Sequence, residues 1–203
     1  QMTVRNLVQI CYGVPGILSY FLVYWALISL RKQLSPSFFI IYCLLIATNM
    51  FAWMNSWFYL KLFSEQSTFY MYYEWMRALP FLVNTCTFLV SHFNYVQNQY
   101  LFFLTFDRYA AIISVTRNLK WWDKYHRWII FLSHLVVLGA HMVIRLPMGI
   151  SIKIDPSTGY YGIGRPDSED IRNTLDANFR LGFGIFIFVI CSILNVWKLA
   201  FHK

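Results

Sequence analysis

The tripeptide Asp107-Arg108-Tyr109 places a carboxylate beside a guanidinium directly after a long run of uncharged residues. The run begins at Ala78 and carries no Asp, Glu, Lys or Arg before Asp107. A carboxylate and a guanidinium make strong, charge-assisted hydrogen bonds, so one interpretation is a functional polar motif. The simpler interpretation is an ordinary helix end at which charges return to water. The spacing alone leaves both interpretations open.

Uncharged polar residues precede this tripeptide at alternating spacings of three and four, which places them on one face of a helix. This polar stripe consists of Asn84, Thr87, Ser91, Asn94, Asn98 and Thr105, with Leu101 as its apolar member and Arg108 at its end. Amide and hydroxyl groups can orient a small ligand in a mostly apolar cavity. We therefore treat the first four, Asn84, Thr87, Ser91 and Asn94, as a candidate ligand cavity.

A second polar group lies on a later apolar segment. His134 and His141 are seven residues apart and Arg145 follows four residues later, so all three share a helix face. One interpretation is a ligand or proton path. The other is hydrogen bonding between helices, with an arginine that reaches the water interface along its aliphatic stem. His134, His141 and Arg145 are therefore possible polar partners of the stripe.

No arrangement of residues favours an enzyme. The sequence has no glycine-rich phosphate loop, no HExxH and no GxSxG. Ser91 and His92 are adjacent on a predicted helix and point apart, so they cannot act as a nucleophile and its base. The four cysteines lie within apolar runs without metal-binding spacing: Cys11, Cys43, Cys86 and Cys191. We expect no catalytic residue, no metal site, no cofactor and no disulfide.

The composition indicates an integral membrane protein. Hydrophobic residues make up 58% of the chain and charged residues only 13%, whereas a soluble domain carries about 25% charged residues. The net charge of +8 does not favour nucleic acid, because the basic residues lie between apolar spans. Anionic lipid or an acidic intracellular protein is the more natural partner.

Five segments are long and apolar enough to cross a bilayer, and they predict an all-α, polytopic transmembrane helical bundle. Their approximate bounds are residues 7–30, 37–60, 78–106, 128–150 and 181–201. Ser35-Pro36 is a good start for the second helix. The loop from Ser151 to Arg180 predicts a hairpin around residues 152–161, and then a helix that begins near Ser168 with its first turns in water.

The charges of the loops predict the orientation. Nine basic and two acidic residues lie on one side, against seven of each on the other, so the first side is cytoplasmic. The N-terminus is then outside and Lys203 inside. Tryptophan and tyrosine residues at span ends agree, since these side chains favour the membrane interface. Trp121, Trp122 and Trp128 are predicted to mark the inner interface.

The run LTFDRYAAIISV, followed by a basic and tryptophan-rich loop, resembles the DRY motif of G-protein-coupled receptors. It is most similar to the nematode serpentine chemoreceptors of the gamma class (Srg) or a sister class. The segment SFFIIYCLLIATNMFAWMNS resembles that group more weakly. The resemblance implies a single receptor domain of seven helices, of which this chain, residues 1–203, would hold five and lack the last two.

The same resemblance implies a function. A chemosensory receptor would bind a small environmental molecule outside and activate a heterotrimeric G protein inside, in the plasma membrane of a sensory cilium. Asp107, Arg108 and Tyr109 would form the G-protein switch, in which the carboxylate restrains the neighbouring guanidinium until activation releases it. The usual cysteine pairing between the third helix and the following outer loop is missing, which indicates a divergent member.

A transporter or channel is the main alternative, with a polar path along the third and fourth spans. The sequence shows no internal repeat to support it. A membrane scaffold without a ligand is a third hypothesis, and it would tolerate substitutions in the polar stripe.

Overall fold

Five helices and one β-hairpin make up the described part of the chain. The structure, a computed structural model, describes residues 4–61, 71, 74–75, 78–116, 120–145, 151–154, 161–164 and 170–201. The elements are α1 (Val4–Ser29), α2 (Pro36–Ser56), α3 (Pro80–Thr116), α4 (Lys120–Arg145), β1 (Ser151–Ile154), β2 (Tyr161–Gly164) and α5 (Asp170–Phe201). A π-helical turn, Trp57–Lys61, continues α2. The predicted all-α bundle is confirmed.

Four of these helices are long and apolar enough to cross a membrane by length and composition: α1, α2, α4 and α5. Within the described residues α3 does not meet the same criterion, because its polar side chains lower its mean hydropathy. It is nevertheless the longest helix, with 37 residues, or about 55 Å at the rise of an α-helix. The protein is therefore an integral, multi-pass membrane protein, and its longest helix carries polar side chains along its length.

Helix α3 is the central element of the bundle, since it packs against α2, α4 and α5. It supplies four of the seven buried residues in the main hydrophobic cluster. The buried core residues there come from α2, α3 and α4: Ile41, Val96, Tyr100, Phe103, Ala110, Trp122 and Ile130. A polar helix in a membrane is stable when other helices cover its polar groups, which explains this central position.

The predicted start of α2 at Ser35-Pro36 is confirmed. Ser35 is the N-cap, and its Oγ accepts a hydrogen bond from the backbone N–H of Phe38 at 3.2 Å. Pro36 occupies the first helical position, where its missing N–H costs nothing. The cap fixes the position of the first turn of α2, from which the Ser35 and Ser37 side chains contact Asp107 of α3.

Helix α1 packs on α2 through a close approach at Gly13. A Cβ atom at this position would lie 2.6 Å from Nε1 of Trp53. Tyr20 and Asn49 also join the two helices, because the Asn49 amide donates to the Tyr20 hydroxyl at 3.0 Å. The opposite face of α1 is apolar and exposed, as expected of a helix that faces lipid.

The two ends of the bundle differ in what they carry. Strands β1 and β2 pair antiparallel, with Ser151 opposite Gly164 and Ile154 opposite Tyr161, so the predicted hairpin is confirmed. It connects α4 to α5, and we call this end of the bundle the hairpin end. The end at which α3 carries Asp107-Arg108-Tyr109 is called the DRY end. The expected helix start at Ser168 lies outside the described residues, and α5 begins at Asp170.

Candidate functional site

A buried carboxylate joins three helices at the DRY end. Asp107 is only 5% exposed. Its Oδ1 accepts hydrogen bonds from the Ser37 hydroxyl and from Nε1–H of Trp122, the latter at 2.8 Å. Its Oδ2 lies 3.4 Å from the Ser35 hydroxyl, which donates to it. A buried charge is costly unless donors satisfy it, and here α2 and α4 supply all three donors.

Local structure explains why these donors converge on Asp107. Ser35 is the cap of α2 and Ser37 lies in its first turn. Trp122 lies in the first turn of α4. The first turns of α2 and α4 both lie at the DRY end of the bundle. Helix α3 runs past both of them, because it continues nine residues beyond Asp107, to Thr116. The carboxylate therefore links α2, α3 and α4.

Arg108 is exposed and points away from this network. Its guanidinium carbon lies 5.4 Å from the centroid of the Phe38 ring, within the range of a cation–π contact. In the described part of the chain no ion pair joins Asp107 to Arg108. Hydroxyl and indole donors occupy that carboxylate in this structure, and the predicted restraint of the guanidinium by it stays a prediction.

A second polar centre lies toward the hairpin end, where Asp176 of α5 is fully buried. The Tyr95 hydroxyl of α3 donates to its Oδ1 at 3.3 Å. Nη2 of Arg180, one turn along α5, lies 3.1 Å from Oδ2 and forms an ion pair with the carboxylate. On the α4 side, Nε2 of His141 lies 4.0 Å from Oδ1. Asp176 thus connects α3, α4 and α5, as Asp107 connects α2, α3 and α4.

Three histidines extend from this centre between α3 and α4. The His141 ring stacks on Phe88 at 4.5 Å between centroids and on His92 at 5.6 Å. The edge of His134 contacts His92 at 5.4 Å. We call His92, His134 and His141 the histidine row. The side chain of Arg145 lies outside the described part of the chain.

Comparison with known protein families shows the family of this helical membrane protein. The family model of the Srg family chemoreceptor matches residues 6–203. The chain belongs to the Srg chemoreceptor family. No curated protein and no solved structure matches the chain. Membership in this family identifies the protein as a receptor-type membrane protein and agrees with the resemblance found in its DRY segment.

Within this chemoreceptor the DRY segment is not an ordinary helix end. Helix α3 continues past it, and Asp107 is buried. The simpler interpretation, in which these charges return to water at the end of a helix, is therefore wrong for Asp107. Tyr109 is half-buried, and its ring lies 6.3 Å from that of Phe106. The role of all three residues in switching stays a prediction.

Trp122 corrects a prediction about the membrane interface. It is only 3% exposed and donates to Asp107, whereas its neighbour Trp121 is 44% exposed. Trp128 is exposed as well. The sequence pattern counted Trp122 with these anchors because aromatic residues cluster at membrane interfaces. Helical rotation separates adjacent residues by about 100°, so two neighbouring tryptophans face different surroundings.

The predicted ligand residues do not share one environment. Asn84 and Asn94 are exposed, Ser91 is buried, and the Thr87 hydroxyl donates to the carbonyl of Val83 in its own helix at 2.8 Å. Their role in ligand binding stays a prediction.

Sequence analysis missed Tyr95 and Asp176. Asp176 was expected in the water-exposed first turns of the fifth helix, and it is instead buried against α3 and α4. Two signals were present. Asp176 and Arg180 are four residues apart, the spacing of an ion pair on one helix face, and Asp176 lies only a few residues from an apolar span. Tyr95 gave no signal, because its neighbours on α3 are also aromatic or polar.

The described residues contain no group of histidine, cysteine, aspartate or glutamate side chains that could hold a metal ion. All four cysteines are free thiols: Cys11, Cys43, Cys86 and Cys191.

Proposed function

We propose that this protein is a chemosensory receptor that binds a small environmental molecule toward the hairpin end and activates a heterotrimeric G protein at the DRY end. The observation that carries the proposal is the different exposure of the two charged residues in the DRY segment. Asp107 is buried and held by α2 and α4, while Arg108 is exposed beside it. One side chain of the motif anchors α3, and the other is free to meet a protein partner.

The switch follows from this division of roles. A carboxylate held by three donors fixes the position of α3 relative to α2 and α4. A shift of α3 that breaks the Trp122 and Ser37 bonds would release that constraint. Arg108, whose present contact is the Phe38 ring, would then reorient toward the C-terminal helix of the G protein. Tyr109 follows on the same turn and would move with it.

Charge supports the orientation. Nine basic and two acidic residues of the sequence fall on the DRY side of the predicted spans, and seven of each fall on the other side. Positively charged loops remain in the cytoplasm, which places the DRY end inside and the N-terminus outside. The ligand then approaches from the hairpin side. The exposed Asn84 and Asn94, with Thr87 and Ser91, are the proposed ligand contacts on that half of α3.

A ligand-independent experiment tests the switch. Trp122→Phe removes one donor to Asp107 and keeps an aromatic ring. In the full-length receptor, we expect this variant to raise basal nucleotide exchange on a purified heterotrimeric G protein about tenfold, the equivalent of roughly 1.4 kcal/mol. Adding Arg108→Ala should return exchange to the level of empty membranes, because the residue that contacts the G protein is lost.

The matched control is Trp121→Phe, which alters the exposed neighbouring indole and should leave basal exchange unchanged. If Trp122→Phe with Arg108→Ala still shows raised exchange, Arg108 has no role in coupling. Uptake of a labelled solute by vesicles, without nucleotide exchange in any variant, would instead favour the transporter hypothesis.

A further inference from the structure

One side of α4 combines two cations with apolar side chains, beginning at the DRY end. Five exposed residues follow one another there at helical spacing and share that side of the helix: Lys124, Arg127, Trp128, Phe131 and Leu135. The Trp128 and Phe131 rings lie edge to face at 6.3 Å between centroids. We call these five residues the α4 face. It is charged in the first two turns of the helix and apolar beyond them.

The opposite side of α4 fixes the direction of this face. Trp122, His126 and Ile130 are buried there, one turn apart from each other. The bond from the Trp122 indole to Asp107 of α3 joins this side to the bundle at 2.8 Å. Rotation of α4 would break these contacts, so the α4 face is held pointing outward, toward lipid.

The length of the α4 face matches one leaflet of a bilayer. From Lys124 to Leu135 the chain advances 11 residues, or about 16 Å at helical rise. The hydrocarbon core of a bilayer is about 30 Å thick, so one leaflet accounts for about half of that distance. A single phospholipid molecule therefore has room to lie along the whole face, with its headgroup at the cations.

Both cations of the α4 face are available to an anion. In the described part of the chain, neither Lys124 nor Arg127 forms an ion pair with an acid. Nζ of Lys124 lies 5.2 Å from the centroid of the Tyr125 ring, and a cation–π contact of this kind steadies the ammonium group. Asp123 is the only acidic residue in the sequence of α4. The start of the helix therefore keeps a net positive charge.

We propose that the α4 face binds an anionic phospholipid. The lipid phosphate lies between Lys124 and Arg127, whose N–H groups donate to its oxygens. An acyl chain lies along Trp128, Phe131 and Leu135, where it covers apolar surface. The binding is non-covalent, and the bond from Trp122 to Asp107 stays in place because it lies on the other side of α4.

Other occupants fit this face less well. A soluble phosphate would contact the two cations and leave the three apolar side chains uncovered. An acidic protein in the aqueous phase could reach Lys124 but not Leu135, which lies at membrane depth. A second copy of the chain would bring its own two cations to the same place, and like charges repel.

This inference goes beyond the proposed function and requires neither G-protein coupling nor a chemosensory ligand. It agrees with the proposed orientation, because anionic lipids are concentrated in the cytoplasmic leaflet. Its test measures lipid binding alone, so failure of one proposal leaves the other standing.

The experiment is native mass spectrometry of the whole chain in detergent, titrated with phosphatidylserine or with phosphatidylcholine of the same acyl chains. We expect the first phosphatidylserine to bind the wild type more tightly than phosphatidylcholine. The double variant Lys124→Gln with Arg127→Gln should lower the phosphatidylserine affinity about thirtyfold, because each cation contributes about fivefold. Its affinity for phosphatidylcholine should not change.

The matched control is the double variant Arg31→Gln with Lys32→Gln. It removes the same charge from an exposed pair between α1 and α2, and it should keep the phosphatidylserine affinity of the wild type. Equal losses in the two double variants would show that net charge alone attracts the lipid, and this would overturn the site.

Two single variants test the two halves of the face in opposite directions. Asp123→Asn removes the exposed acid beside the cations, so it should tighten phosphatidylserine binding about fivefold. Phe131→Ala shortens the apolar half, so it should weaken both lipids by a similar factor. An unchanged affinity in both variants would contradict the proposed position of the lipid.

Two further outcomes would assign the face to another occupant. Displacement of bound phosphatidylserine by an equal concentration of inorganic phosphate would show that the cations bind a soluble anion. A dimer that forms in the wild type and is lost in the Lys124→Gln, Arg127→Gln variant would show an interface between copies. Either result would overturn the lipid proposal.

Discussion

Two aspartates carry the polar organisation of this membrane protein at the scale of single residues. Asp107 and Asp176 are each buried, and each accepts hydrogen bonds from helices other than its own. A buried carboxylate that loses one donor pays a large part of its desolvation cost. For this reason, substitution of a single donor residue tests the role of the carboxylate more sharply than substitution of the aspartate itself.

Ser37→Ala tests this dependence at the DRY end. Ser37 is buried and donates to Oδ1 of Asp107. Its loss should lower the free energy of unfolding by about 1–3 kcal/mol, because Asp107 loses a donor without access to water. Thermal unfolding in nanodiscs should show this as a lower melting temperature.

The matched control is Ser133→Ala, since the Ser133 hydroxyl donates to the carbonyl of Ile130 within its own helix at 2.9 Å. That carbonyl remains bonded in the helix, and the cost should be well below that of Ser37→Ala. Equal melting temperatures for Ser37→Ala and the wild type would show that Ser37 does not satisfy the carboxylate.

Close packing between whole elements is set by small residues. Helices α1 and α2 approach each other at Gly13, where Trp53 fills the space that a side chain would need. Membrane helices gain little from the hydrophobic effect against one another, so van der Waals contact at small residues contributes much of their association. Polar contacts such as Asn49 with Tyr20 add to it.

Gly13→Ala tests the packing of α1 on α2. The new methyl group would meet the Trp53 indole at 2.6 Å, so either the indole rotates or α1 moves outward. We expect a destabilisation of about 1–3 kcal/mol, measured as a lower melting temperature.

Gly16→Ala is its control, because a Cβ at Gly16 meets no atom within 4 Å. There the higher helix propensity of alanine should leave stability unchanged or raised by up to about 1 kcal/mol. If both substitutions have the same effect, the contact between Gly13 and Trp53 does not limit the packing.

At the scale of the whole molecule, two buried aspartates contact α3 or belong to it at different heights. Asp176 contacts α3 at Tyr95, near the middle of the helix, and Asp107 lies closer to its C-terminal end, with the core residues Tyr100 and Phe103 between these two positions. A rigid helix that contacts both centres can transmit a shift from one to the other. The proposed direction of signalling depends on which end faces the cytoplasm.

Cysteine labelling tests that orientation. Lys124→Cys at the DRY end exposes a thiol on α4. We expect a membrane-impermeant maleimide to label it only after intact cells are permeabilised, because basic loops stay in the cytoplasm. Asn178→Cys on α5, at an exposed polar position nearer the hairpin end, should be labelled in intact cells. The native exposed thiol, Cys11, is replaced by serine in both variants. The reverse pattern of labelling would invert the proposed topology.

The sequence by itself determined the class of the protein, the cap of α2, the hairpin and the importance of the DRY segment. Composition and apolar run length follow from local residue types, and a motif such as Asp107-Arg108-Tyr109 is contiguous. The family match over residues 6–203 agrees with these local signals. Periodicity also showed that His134 and His141 share a face, because the geometry of one helix is fixed by its hydrogen bonds.

Only the tertiary structure decided which side chains meet. Periodicity gives the face of a residue but not the helix opposite it, so the sequence paired Asp107 with Arg108 and placed Trp122 at the membrane interface. The fold instead brings the starts of α2 and α4 to Asp107, which leaves Arg108 exposed. In the same way α3 and α4 enclose Asp176, a residue that its local sequence placed in water. The physical reason is that a buried charge takes its partners from whichever helices surround it, and sequence neighbours are often not among them.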